Sequence, residues 1–113
     1  NPAAEALSLR IAGRIITTRA VLLETANALS RPPTRESVIR LIDRLHERDD
    51  VEVIDLTPAL WARAWRLYCD REDKSWSLTD CFSIIVMRDK GISDALTSDR
   101  HFEQAGFRAL LKS

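Results

Sequence analysis

A chain of 113 residues, 45% apolar and 30% charged, fits one compact domain with a sizeable buried core and excludes a disordered chain. Lys plus Arg and Asp plus Glu balance at 17 each, so no overall field points to nucleic acid, although a local cluster of cations can still bind it. No apolar run reaches the ~18 residues of a membrane span and no signal peptide is visible, so a cytoplasmic protein with no membrane partner is expected.

In chain order, Pro2 to Ala12 reads as a helix stopped by Gly13. Arg14 to Thr18 is a short β-branched strand, and Thr18 is placed to cap the helix that follows. That helix should end near Ser30, because Pro32-Pro33 cannot continue it. Thr34 is the expected cap of a second helix, in which Ser37 to Leu45 has apolar residues at helical spacing. Val51 to Leu56 is a strand, and Thr57-Pro58 opens a helix to Asp70 with Pro at its first position. The charged run Asp70 to Lys74 reads as a solvated loop. Ser77-Leu-Thr-Asp80 has the capping-box pattern with Asp in the acidic place, and Phe82 to Lys90 continues as a buried helix ended by Gly91. Ala95 to Ser98 is a short strand, His101 to Ala105 a short helix, and Phe107 to Leu111 a last strand. Strands separated by helices imply βαβ units and a parallel sheet covered on both faces, within a single domain over residues 1–113.

Three acids fall where such folds place ligands, at the carboxyl ends of strands and in the loops leading into helices. Glu24 lies in the apolar run Ala20-Val-Leu-Leu-Glu-Thr-Ala-Asn-Ala-Leu29, where a lone carboxylate in a buried helix is expensive. Asp80 lies in the first turn of a helix, and Asp99 directly follows the Ala95 to Ser98 strand. Gathered in one cleft, these acids would repel each other, and a hard divalent cation with oxygen ligands relieves that repulsion and leaves room for a substrate phosphate. Each acid also has a plainer reading: Asp80 as an acid at a helix N-terminus, Asp99 as a cap, Glu24 as a solvated side chain.

Other residues have plain readings first. His101 reads as a surface or capping histidine ahead of a general base, and Arg19, Arg88 and Arg100 as solvated cations ahead of RNA contacts. Trp61 and Trp65, one helical turn apart, read as core or dimer packing ahead of base stacking. Trp76 is placed to act as a hydrophobic staple, and Phe82, Ile85, Val86, Phe102 and Phe107 as core. Cys69 and Cys81 lack zinc spacing and read as small buried thiols.

The stretch Ala95-Leu-Thr-Ser-Asp-Arg-His-Phe-Glu-Gln-Ala-Gly-Phe-Arg-Ala-Leu-Leu111 resembles the C-terminal signature of PIN-domain proteins, particularly the VapC-like toxins. Thr17 to Leu29 is similar to their second motif and Ser77-Leu-Thr-Asp80 to their third, so the resemblance spans essentially the whole chain. It implies a three-layer α/β/α sandwich and a ribonuclease that uses Mg²⁺ or Mn²⁺ to hydrolyse RNA. It maps catalysis and metal ligation onto Glu24, Asp80 and Asp99, with Thr97 as a polar contact and Arg19 and Arg100 as RNA contacts. It also implies a type II toxin silenced by an antitoxin protein, and a homodimer. The family pattern opens with a central strand carrying a first Asp, whereas no Asp precedes Asp43 in this sequence. The chain therefore reads as an N-terminally incomplete PIN-like domain. The alternative is a catalytically inactive PIN-like binding or assembly module without the first ligand; a third possibility is another acid-cluster enzyme, such as a phosphatase or a DNA nuclease.

Overall fold

The computed structural model describes residues 8–11, 14–96 and 100–109. Its elements are β1 (Ser8–Ile11), β2 (Arg14–Thr18), α1 (Arg19–Ala28), α2 (Thr34–Glu47), β3 (Val51–Ile54), α3 (Pro58–Asp70), α4 (Leu78–Lys90), β4 (Asp94–Leu96), α5 (Arg100–Gln104) and β5 (Arg108–Ala109). The described strands form one sheet in the order β3-β2-β1-β4-β5. β2 runs parallel to β3 and β4 parallel to β5, while β1 is antiparallel to both of its neighbours, with Leu9 opposite Ile16 on one side and Ala95 on the other. The expected α/β fold with a parallel sheet is what forms, with β1 as the strand that runs against the rest.

β1 corrects the helix expected from Pro2 to Ala12. Local propensity favours a helix there, but β2 and β4 lie one strand apart and would face each other with unpaired backbone groups. Ser8–Ile11 supplies the missing ladder to both, and pairing outweighs local preference. The remaining residues of that expected helix lie outside the described ones.

The core is organised around α4. Its residues from Cys81 to Met87 are buried without a break, the pattern of a helix surrounded by protein on all sides. Ile16 of β2, Leu60 and Ala64 of α3, Trp76, Ile92, Ala95 and Phe102 complete the same cluster. Adjacent strand residues point to opposite faces, and both Ile16 and Thr17 are buried, so the sheet is covered on both sides at β2.

The local signals that start and stop helices largely hold. The Thr18 hydroxyl accepts from the Val21 N–H at 3.2 Å, and the Thr57 hydroxyl accepts from the Leu60 N–H at 3.1 Å. Ser77 and Asp80 form the reciprocal capping box, and Gly91 closes α4 in the left-handed region at φ 67°. Thr34 is different: Pro33 takes the cap position, and the Thr34 hydroxyl donates backward to the Arg31 carbonyl at 2.6 Å.

Two burial expectations are corrected on α3. Leu60 and Ala64 form the row turned to the core, which places Trp61, Trp65 and Tyr68 on the next row around the helix. Trp61 and Trp65 are accordingly about half exposed (48% and 47%), stacked on each other with centroids 6.0 Å apart, and not core residues. Cys69 is exposed and Cys81 buried. Burial pushes the Cys81 thiol up to about 11, with the neighbouring Asp80 charge adding to the effect, so it is an inert core thiol. Among the described residues, no helix is long and apolar enough to cross a membrane.

Candidate active site

Glu24 and Asp80 are placed by different elements, Glu24 by α1 and Asp80 by the first turn of α4. α1 buries Ala20, Val21, Leu22 and Thr25 and turns Leu23, Glu24 and Asn27 outward. The apolar run is therefore amphipathic in the fold, and the burial cost expected for Glu24 does not arise. Glu24 lines a cavity of 560 Å³ between α1, the Leu56 turn, Trp61 and the first turn of α4. Leu78 and Thr79 of that first turn line the same cavity, and Asp80 is the next residue.

Asp80 is fixed from two directions. Its Oδ2 accepts from the Ser77 backbone N–H at 3.1 Å, while its own N–H donates to Ser77 Oγ at 3.0 Å. The same Oδ2 is 3.1 Å from His101 Nδ1. His101 Nε2 is in turn 3.1 Å from Ser75 Oγ, and the His101 carbonyl accepts from Trp76 Nε1 at 3.0 Å. Arg71 stacks over the Trp76 ring with its guanidinium carbon 5.2 Å from the centroid, so the buried indole is held on its face as well as through its N–H. Trp76 thus ties the connection between α3 and α4 to α5.

His101 is the residue that sequence reasoning set aside. The Asp-Arg-His-Phe turn gives no sign of a partner 21 positions upstream; only the return of α5 onto the start of α4 brings His101 to Asp80. Ser75 was not singled out for the same reason. Arg19 is committed elsewhere: Nε and Nη2 donate to Asp55 Oδ1 at 3.0 and 2.9 Å, and Nη1 lies 2.9 Å from His46 Nε2. Arg88 is exposed on α4. Thr97 and Asp99 lie outside the described residues, and of Arg100 only its place at the start of α5 is described. Among the described residues, no group of three or more His, Cys, Asp and Glu side chains converges as a metal-binding set. Two of the three candidate acids are described: Glu24 lines a cavity, and Asp80 is locked at a helix start.

The PIN domain family model matches residues 1–108. The chain belongs to the PIN-domain family. This PIN domain is 34% identical over 94 residues to the 23S rRNA-specific endonuclease VapC20 of Mycobacterium tuberculosis, in both strain CDC 1551 / Oshkosh and strain ATCC 25618 / H37Rv. The match covers 82% of this chain and 70% of that protein. In structure, the PIN domain is similar to the crystal structure of M. tuberculosis VapC20, described as a sarcin-ricin loop cleaving toxin, with a TM-score of 0.76 and 27% identity over 91% of this chain and 76% of the other.

Proposed function

We propose that this PIN domain is a metal-dependent endoribonuclease of the VapC-like toxin type, acting on structured cytoplasmic RNA and silenced by an antitoxin protein. The observation that carries this reading is the placement of Glu24 on the cavity wall beside the first turn of α4, whose Asp80 is locked in orientation. The similarity to a 23S rRNA-specific endonuclease supports RNA as the substrate class.

The donor set suits a hard divalent cation. Magnesium is commonly held by one or two carboxylates, with its remaining positions kept for water and substrate phosphate. Glu24 and Asp80 supply two such carboxylates. Asp99 is proposed as the third, with Thr97 as a polar contact beside it. When bound, Mg²⁺ or Mn²⁺ supplies Lewis-acid polarisation of the phosphodiester and relief of repulsion among the acids. The chain's own residues do the placing. The Ser77 N–H and the His101 ring hold Asp80 against the helix start, and α1 carries Glu24 to the cavity. Ala20, Leu23, Leu56, Leu78 and Phe82 make the cavity wall beside Glu24 largely apolar. Arg100 is proposed to contact RNA phosphate, and so is Arg19 if phosphate displaces Asp55 or His46 from its guanidinium. The exposed Trp61–Trp65–Tyr68 row supports the proposed homodimer by offering aromatic surface at low conformational cost.

The test is cleavage of RNA, with DNA and a simple phosphoester beside it, in Mg²⁺ or Mn²⁺, by the full-length protein. Glu24→Gln, Asp80→Asn and Asp99→Asn should each abolish RNA cleavage; unchanged cleavage by Asp80→Asn and Asp99→Asn rejects the assignment. A second reading, the inactive binding module, is favoured by β1: the strand in the middle of the sheet is Ser-Leu-Arg-Ile and carries no acid. Calorimetric titration with Mn²⁺ separates the two, because an inactive module shows no binding that depends on Glu24.

A further inference from the structure

We propose that His101 is a positioning residue for Asp80, and that Ser75 and Trp76 hold His101 in that role. The inference rests on the reading of Asp80 as a metal ligand and adds the residue that sets its orientation. A capping box needs only the Ser77 contacts, and those are complete without help from another element. The second contact on the same Oδ2, from a ring 21 residues away, is not required by the cap. Two donors from different elements on one carboxylate oxygen fix both the position and the plane of the group, whereas the Ser77 N–H alone leaves it free to rotate about that contact.

The hydrogen-bond chemistry of the chain Ser75–His101–Asp80 is self-consistent. Asp80 is an acceptor, so Nδ1 carries the proton and donates to Oδ2, and Nε2 of the same ring is within hydrogen-bond distance of the Ser75 hydroxyl. Both ring nitrogens are used, which sets the ring's rotation. The Trp76 N–H on the His101 carbonyl fixes the backbone of the same residue. The ring is thus constrained at both ends, as expected of a group that orients a ligand and not of a solvated surface histidine. Metal-binding side chains generally depend on such supporting hydrogen bonds, and losing one typically costs about 10–100-fold in metal affinity.

The experiment measures Mn²⁺ affinity by calorimetry, alongside RNA cleavage, for the full protein and for His101→Ala, His101→Asn, His101→Gln and Asp80→Asn, with thermal unfolding followed for each. His101→Ala should weaken Mn²⁺ binding by about 10–100-fold, with cleavage falling in parallel. The Asn amide N–H occupies nearly the position of Nδ1 and should restore most of the affinity; the Gln amide reaches the Nε2 position and should not. Ser75→Ala, which leaves the Asp80 contact in place, should cause a smaller loss in the same direction. Parent-like Mn²⁺ affinity in His101→Ala, or equal rescue by Asn and Gln, overturns the proposal. If Asp80→Asn itself binds Mn²⁺ as the parent does, the ligand assignment fails instead. If Asp80→Asn abolishes binding and His101→Ala does not weaken it, the positioning role alone is wrong.

Discussion

Glu24 and Asp80 are the two described acids of the proposed site, yet the fold treats them in opposite ways. Asp80 is only 17% exposed and is held by a helix cap and by a ring from α5. Glu24 is exposed on α1, and among the described residues no hydrogen bond or ion pair holds its carboxylate. One acid is part of the architecture; the other is only delivered by it. The difference teaches that stability and activity should separate cleanly between them. Changes around Asp80 should disturb both, and changes at Glu24 should disturb activity alone.

The largest effect is expected from the core of α4, the helix that carries Asp80. Ile84 is fully buried in the middle of α4, and Ile84→Ala should lower stability by about 2–5 kcal/mol in urea unfolding. A loss below that range would mean that α4 is not the organising helix. Ser77→Ala removes the cap acceptor for the Asp80 N–H and should cost about 1 kcal/mol by the same measurement. It should also release the Asp80 carboxylate partly and weaken RNA cleavage, as no cap elsewhere in the chain should.

Asp73 adds a third kind of carboxylate, held by a cation and not by a cap. The Arg71 guanidinium beside it lowers its carboxyl to about 2. Because the folded value lies below the unfolded one, the contribution of this pair is present at neutral pH and above. It fades as pH falls below the usual carboxylate range of about 4 and is gone once pH passes below about 2. The pair is exposed, so the signature is spectroscopic: the Asp73 carboxyl resonance should titrate with a midpoint near 2, and Arg71→Ala should return it toward about 4. The smallest structural effect belongs to Glu24→Gln, which should change stability by no more than about 0.5 kcal/mol in the same urea assay.

Much of this arrangement was legible in the sequence, for identifiable reasons. Capping is local chemistry, so Thr18, Thr57 and the Ser77–Asp80 box could be read from neighbours within a few residues. The buried helix read from Phe82 to Lys90 is buried as far as Met87, while Arg88, Asp89 and Lys90 in its last turn are exposed. What failed depended on distant partners. Ser8–Ile11 became a strand because β2 and β4 needed a ladder between them, which no local propensity reports. The Trp61–Trp65 spacing identified one helix face but not which way that face turned; Leu60 and Ala64 took the core. His101 showed its partner only after α5 folded back on α4. Glu24 looked expensive because its sequence neighbours are apolar, whereas helical geometry places Val21, Leu22 and Thr25 inside and Glu24 outside.

The most direct test of the central claim is a calorimetric Mn²⁺ titration of Glu24→Gln against the parent, with unfolding measured on the same samples. Mn²⁺ binding and RNA cleavage should be lost while the unfolding midpoint is unchanged. Parent-like Mn²⁺ binding by Glu24→Gln would contradict it.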